Sequence, residues 1–186
     1  MKVMDLQFDS ISPQEADMSD AKVIITTQDE AGILKNKETI MLDTELDRYP
    51  AIAKAKILRS MANPYADDQL TIGIDPGSRV GISVNYLQQE IASTVESSPE
   101  RTVDHVSAIL GGVASRKKVV KIGDGDIAMA RLIARTLKTK FRDGVQIEIV
   151  DEHGTSQNAE ANRRGARDRS SARTIAFRSG KLYSLR

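Results

Sequence analysis

The chain has 186 residues, 40% of them apolar, with 27 basic and 26 acidic side chains and a formal net charge of +1; it can form one domain with an appendage or two small domains, and is too apolar for a disordered chain. It has no cysteine and only two histidines, His105 and His153, which excludes disulfides, thiolate nucleophiles and cysteine-held zinc and leaves carboxylate oxygens to bind any metal, as hard cations prefer. No apolar run nears the ~18 residues of a membrane span, and Met1-Lys2-Val3-Met4-Asp5 turns acidic too early for a secretory leader, so a cytoplasmic protein without membrane association is expected.

Residues 1–20 carry little pattern and are expected to be an irregular or short-strand lead-in. Lys22–Thr27 reads as a buried strand, Gln28–Leu34 as a short helix and Thr39–Leu42 as a second strand. Tyr49-Pro50 opens a helix through Met61, with apolar residues near helical spacing, and Asn63-Pro64 stops it. The string Asp43, Glu45, Asp47 reads as a solvated loop. Residues 1–66 are thus expected to form a small β-α-β-α unit, and the polar stretch Ala66–Gln69 marks the boundary of a second domain over 67–186.

Leu70–Asp75 reads as a strand, Pro76-Gly77-Ser78 as a turn, Arg79–Tyr86 as a second strand and Glu90–Ser97 as a third. Links this short make antiparallel hairpins. Ser98 then caps a helix with Pro99 at its first position. Lys118–Gly123 is a fourth strand. Asp124 or Asp126 caps the next helix, whose Arg131, Arg135 and Lys138 face out, and Val145–Val150 is a fifth strand. Two short helical stretches follow, about 156–163 and 170–177. The order β-β-β-α-β-α-β-α predicts an α/β fold with a five-stranded mixed sheet and helices on both faces.

The acids fall at element ends. Asp75 closes the first of these five strands, Asp124 follows the fourth, Asp151-Glu152 close the fifth, and Asp168 opens the last helix. If the first, fourth and fifth strands are neighbours, their carboxyl ends share one sheet edge, where ligands of open α/β sheets bind. Carboxylates converging there suit two Mg²⁺ or Mn²⁺ ions, which can hold the attacking water and the leaving oxygen of a phosphodiester. Gly77 and Gly81 would let backbone and ligand approach closely. Each acid also has a structural reading: Asp75 accepting turn N–H groups, Asp124 and Asp126 as helix caps, Asp168 as an N-cap.

Charge is unevenly spread. Residues 1–70 hold 13 acids and 8 bases, 71–154 hold 11 of each, and 155–186 hold 2 acids and 8 bases. A basic tail beside clustered acids suits a phosphate-binding surface around a metal site, and equally a solvated helix face. Arg163, Arg164, Arg167, Arg169 and Arg173 are the candidate phosphate contacts, with Thr155 and Ser156 as hydrogen-bonding partners of the backbone. Aromatic residues make up only 4%, against a base-stacking platform for single strands.

The string IGIDPGSRVGISV (residues 72–84) resembles the opening strand pair of the RuvC/YqgF-like branch of the ribonuclease-H-like superfamily, which includes Holliday-junction resolvases of DNA recombination and repair. IEIVDEHGTS resembles the Asp-Glu strand end of the YqgF-like members, and RDRSSARTIA their final helix, which opens with Asp and small residues. The resemblance covers about residues 70–178. It implies a ribonuclease-H-like fold, a hydrolase cutting phosphodiesters of structured DNA or RNA, and Asp75, Glu152 and Asp168 as metal-binding catalytic carboxylates assisted by Asp124. By their positions beside these acids, and not from the resemblance, Asp126, Asp151 and His153 are candidate auxiliary groups. The resemblance further implies a homodimer by analogy with the resolvases. Three features depart from the pattern: His153 stands where arginine is usual, the last helix has one acid where resolvases often have two, and an N-terminal unit is added. A non-catalytic nucleic-acid-binding or assembly module on the same fold is the alternative. IGIDPGS also resembles the first phosphate loop of sugar kinases and actin-like ATPases, but those close two such domains around nucleotide and one copy is present here.

Overall fold

A computed structural model describes residues 6–34, 39–63, 65–153 and 164–184. The chain divides into two compact units, Met1–Ala66 and Asp67–Arg186.

In the first unit, β1 (Ile24–Thr26) and β2 (Ile40–Leu42) pair in parallel around α2 (Gln28–Ala31). Helices α3 (Asp43–Arg48) and α4 (Pro50–Met61) follow. Met41, Ala53 and Ile57 form a small core, with Leu6, Val23, Ile25 and Leu46 packed on it. Two expectations are corrected. The lead-in contains α1 (Pro13–Asp17), closed by a reciprocal Ser12–Glu15 capping box. The acidic string Asp43, Glu45, Asp47 is helical: Glu45 accepts the Leu42 N–H at 3.2 Å and the Lys56 ammonium at 2.9 Å, so one acid serves as cap and ion-pair partner.

Six of the described strands of the second unit form one mixed sheet: β3 (Gln69–Asp75), β4 (Val80–Tyr86), β5 (Gln89–Glu96), β6 (Lys117–Gly123), β7 (Gln146–Val150) and β8 (Lys181–Leu182), in the order β5-β4-β3-β6-β7-β8. The first three strands run antiparallel as hairpins; β6 and β7 join β3 in parallel after crossovers through α5 (Pro99–Gly112) and α6 (Ile127–Phe141). The sheet was expected to have five strands. The sixth, β8, adds antiparallel to β7 after α7 (Arg164–Phe177); two exposed residues carry no alternation that a sequence reading could catch.

Strand alternation separates the faces. On β3, Leu70, Ile72 and Ile74 are fully buried and share a face with Ile82 and Ile122. That apolar face requires cover, which α5 on β4 and β5 and α6 on β6 and β7 supply. The other face carries Thr71, Gly73 and Asp75 with their cross-strand partners Asn85, Ser83, Gly81 and Lys121. Helix α7 lies on it across β3, β4, β5 and β6. Its approach is set by glycines: a β-carbon on Gly73 would strike the Ala172 carbonyl and the Ala176 amide, and one on Gly81 would strike the Asp168 carbonyl. The group that approaches Gly81 is therefore a helix backbone, one of the two approaches, by backbone and by ligand, expected from the sequence. No helix among the described residues is long and apolar enough to cross a membrane.

Candidate functional site

The parallel register of β3, β6 and β7 brings their carboxyl ends to one edge: Ile74 pairs with Ile122 and Gly123 with Val150. Asp75 is the last residue of β3, Asp124 follows β6, and Asp151-Glu152 follow β7. Asp124 ties two of these ends together. Its amide donates to the Val150 carbonyl at 3.0 Å, and its carboxylate accepts the Glu152 N–H at 3.0 Å. Asp168 reaches the same edge from α7, where its backbone rests on Gly81, the cross-strand partner of Asp75.

The electrostatics of this edge couple three of the expected acids. Burial pushes the Asp75 carboxyl up from 3.8 to about 7, and the charges of Glu152 and then Asp168 push it the same way. A hydrogen bond from Ser171 and the charge of Arg167 oppose the shift without cancelling it. Glu152 is also raised, by burial and then by Asp124, against a backbone hydrogen bond from Gly125. Its carboxylate occupies a notch that only glycines leave open, since a β-carbon on Gly123 or Gly125 would collide with it.

Other expected residues stand apart. Asp126 is the N-cap of α6, accepting the Met129 N–H at 3.0 Å. Asp151 and His153 are exposed and engage each other: the Asp151 carboxylate accepts the His153 N–H at 2.8 Å and lies 3.3 Å from Nδ1, which holds its pKa low. Asp168 does not open the last helix. Helix α7 begins at Arg164, so Asp168 sits inside it, and the helix that was expected to start at 170 is a turn and a half longer than that. Arg173 lies 3.7 Å from Glu90 on β5, with its side chain largely exposed. Arg167 is exposed and close enough to act on Asp75. Arg164 starts α7; Thr155, Ser156 and Arg163, with the stretch 156–163 expected to be helical, lie outside the described residues.

Two site residues were assigned no role of their own from sequence, though Ser171 lies in the string that resembles the family's final helix. Ser171, 5% exposed, hydrogen-bonds Asp75. Arg79 approaches the first turn of α7: its Nη2 and the Nη1 of Arg169 lie 3.9 and 3.7 Å from where a Gly165 side chain would begin. Its place four residues after Asp75 was the available signal.

Partly buried carboxylates whose charges raise one another's pKa fit a hard divalent cation, which would offset that repulsion. The fit is one of chemistry and charge: among the described residues no three His, Cys, Asp or Glu side chains are arranged to hold a metal ion. No protein-family model matches the chain, and comparison with curated proteins finds no relative.

Proposed function

We propose that residues 70–178 form a ribonuclease-H-like domain of the RuvC/YqgF-like branch and act as a divalent-metal-dependent nuclease on structured nucleic acid. One observation carries this reading: Asp75 is held up to about 7 by burial and by the charges of Glu152 and Asp168, three acids drawn from separate elements to one sheet edge. Ser171 and Arg167 oppose the shift without cancelling it, so part of the acidic charge is left for a bound cation to meet. The strand order β5-β4-β3-β6-β7, with antiparallel hairpins followed by parallel crossovers, supports the fold assignment.

Asp75, Glu152 and Asp168, with Asp124, are the residues that would hold Mg²⁺ or Mn²⁺, two ions in the reading favoured here. Bound there, such ions supply positive charge to a phosphodiester and acidity to a water. The protein's own part is to fix the carboxylates: Ser171 orients Asp75, the Gly125 N–H and the Gly123 notch orient Glu152, and Gly81 lets α7 bring Asp168 in. Arg167, Arg169 and Arg79 offer cations along the same end of α7 for backbone phosphates.

That no three acidic side chains among the described residues are arranged to hold an ion favours a second reading, a nucleic-acid-binding module on the same fold that does not cut. Labelled four-way junction, duplex and structured RNA, each incubated with Mn²⁺ and with chelator, separate the two. A nuclease cuts at least one substrate only with Mn²⁺ and loses cutting in Asp75→Asn. A binding module retains all three uncut and binds them equally well after that substitution.

A further inference from the structure

Glu152 stands outside the ladder of the sheet. Among the described residues, the last pairs of β7 are Val150 with Gly123 on β6 and Ile149 with Lys181 on β8. Beyond them, the N–H and C=O groups of residues 151–153 must be met one by one. The Glu152 N–H is met by the Asp124 carboxylate at 3.0 Å. From just past the end of α7, one nitrogen of the Arg178 guanidinium, Nη1, donates to the Asp151 carbonyl at 3.0 Å and to the His153 carbonyl at 2.8 Å. These are the two carbonyls that flank Glu152. Hydrogen bonds from a charged donor are the stronger kind, and this pair straddles the residue whose carboxylate occupies the notch over Gly123 and Gly125.

Arg178 is itself anchored. It follows the last residue of α7, and its carbonyl accepts from Lys121 Nζ at 2.6 Å. Lys121 and Glu148 are cross-strand partners on β6 and β7, with their charged ends 3.8 Å apart and both side chains largely buried. The Glu148 carboxylate in turn accepts the Gly180 N–H at 3.2 Å. Gly180 lies so close to β7 that a β-carbon there would strike the Ile149 carbonyl and the Glu148 side chain. The backbone of residues 178–180 is therefore pinned to the polar face of the sheet, and the guanidinium acts from a fixed base. The helix that leads into it also carries Asp168 and Ser171, the latter bonded to Asp75. One element thus sets Asp168 directly, Asp75 through Ser171 and the Glu152 segment through Arg178.

We propose that Arg178 is a positioning residue of the carboxylate edge: by holding both carbonyls around Glu152, it fixes where that carboxylate sits relative to Asp75 and Asp168. Its bearing on metal rests on the reading of the edge as a metal centre; its hold on the Glu152 backbone does not. Charge and position make opposite demands of this side chain. A guanidinium near a cation site repels the cation, so an arginine acting through its charge alone weakens metal binding, and its removal strengthens it. An arginine acting through position orients a ligand, and its removal weakens binding.

The test compares the full ¹⁵N-labelled chain with Arg178→Met, which keeps an apolar stem and removes the donors. In metal-free protein, NMR relaxation is expected to give the Glu152 amide a rigid-backbone order parameter of about 0.85, falling below about 0.6 in the variant, while Val120 and Ile147 within the sheet stay rigid in both. Calorimetry is expected to show Mn²⁺ affinity lowered roughly 10–100-fold in the variant. The wild type alone supplies a further readout that needs no folded variant: with Nη1 held by two carbonyls, rotation of the Arg178 guanidinium should be slow enough to resolve its Nη signals on cooling. The proposal is overturned if Glu152 is equally ordered in both proteins, if the sheet amides loosen together with it, if the variant binds Mn²⁺ as tightly as the wild type or more so, or if the Arg178 guanidinium rotates freely. A wild type that binds no Mn²⁺ would sink the metal reading, and the order parameters would still decide whether Arg178 holds Glu152.

Discussion

Glu152 lies two residues past the end of β7 and Asp75 ends β3, two strands separated by β6, yet the charge of Glu152 helps hold the Asp75 carboxyl up to about 7. Coupling across an intervening strand is possible because β6 ends in Gly123, which has no side chain to stand between them, and because Glu152 lies over that glycine.

That coupling fixes a pH dependence. The unfolded Asp75 releases its proton near 3.8, while the folded protein keeps it to about 7. Between those values the folded state binds more protons, so stability falls as pH rises through this window. Asp75→Asn should remove this part of the fall and raise stability at pH 8 in the presence of chelator. Urea midpoints of both proteins at pH 5 and pH 8 check this; parallel pH dependences would show that Asp75 is not strained by its neighbours.

Gly125→Ala should act on Glu152 alone. The added β-carbon would strike the carboxylate, which must swing out of its notch. Metal affinity is expected to fall by roughly 10–100-fold, as for loss of a group that orients a ligand, while the urea midpoint changes little. Calorimetry beside a denaturation curve separates the two effects; unchanged affinity would remove Glu152 from the ligand set.

Two glycine substitutions should have opposite signs. Gly81→Ala forces a methyl group into the Asp168 carbonyl, a backbone contact that cannot yield locally, and should destabilise by about 1–3 kcal/mol or more. Gly111, exposed on α5, has nothing within 4 Å of an added β-carbon, so Gly111→Ala should stabilise by up to ~1 kcal/mol. Equal effects in chemical denaturation would contradict the close seating of α7 on β4.

The β4–β5 hairpin turns on Leu87 and Gln88, both in the left-handed region at φ 49° and 64°. Two positive φ values suit Asn-Gly far better than Leu-Gln. Gln88→Gly should therefore stabilise by about 0.5–1 kcal/mol, read as a higher urea midpoint.

The second unit's sheet was legible because its strands are dense apolar runs bounded by turn residues, and because a short link can only make a hairpin. Asp126 could be read as a cap from its position before Ile127, though Asp124 was an equal candidate until the structure showed it bonded to Glu152. What escaped were elements without hydropathy contrast. Helices α1 and α3 are short and acidic, and their caps come from Glu15 and Glu45 rather than from an apolar stripe. The first turn of α7 is arginine-rich, so its start was placed too late. Its seat on the sheet is built from Gly73, Gly81, Ala172 and Ala176, whose small size leaves no periodic signal while bringing Ser171 to Asp75.

The most direct test of the carboxylate edge as a metal centre is calorimetric titration of Mn²⁺ into the full chain, wild type beside Asp75→Asn, at pH 7.5. A metal site there gives saturable binding in the wild type, with proton release on binding from the raised carboxyls, and loss of that binding in Asp75→Asn. Absence of Mn²⁺ binding in the wild type, with nucleic acid present or absent, would contradict it, as would equal binding by the two proteins.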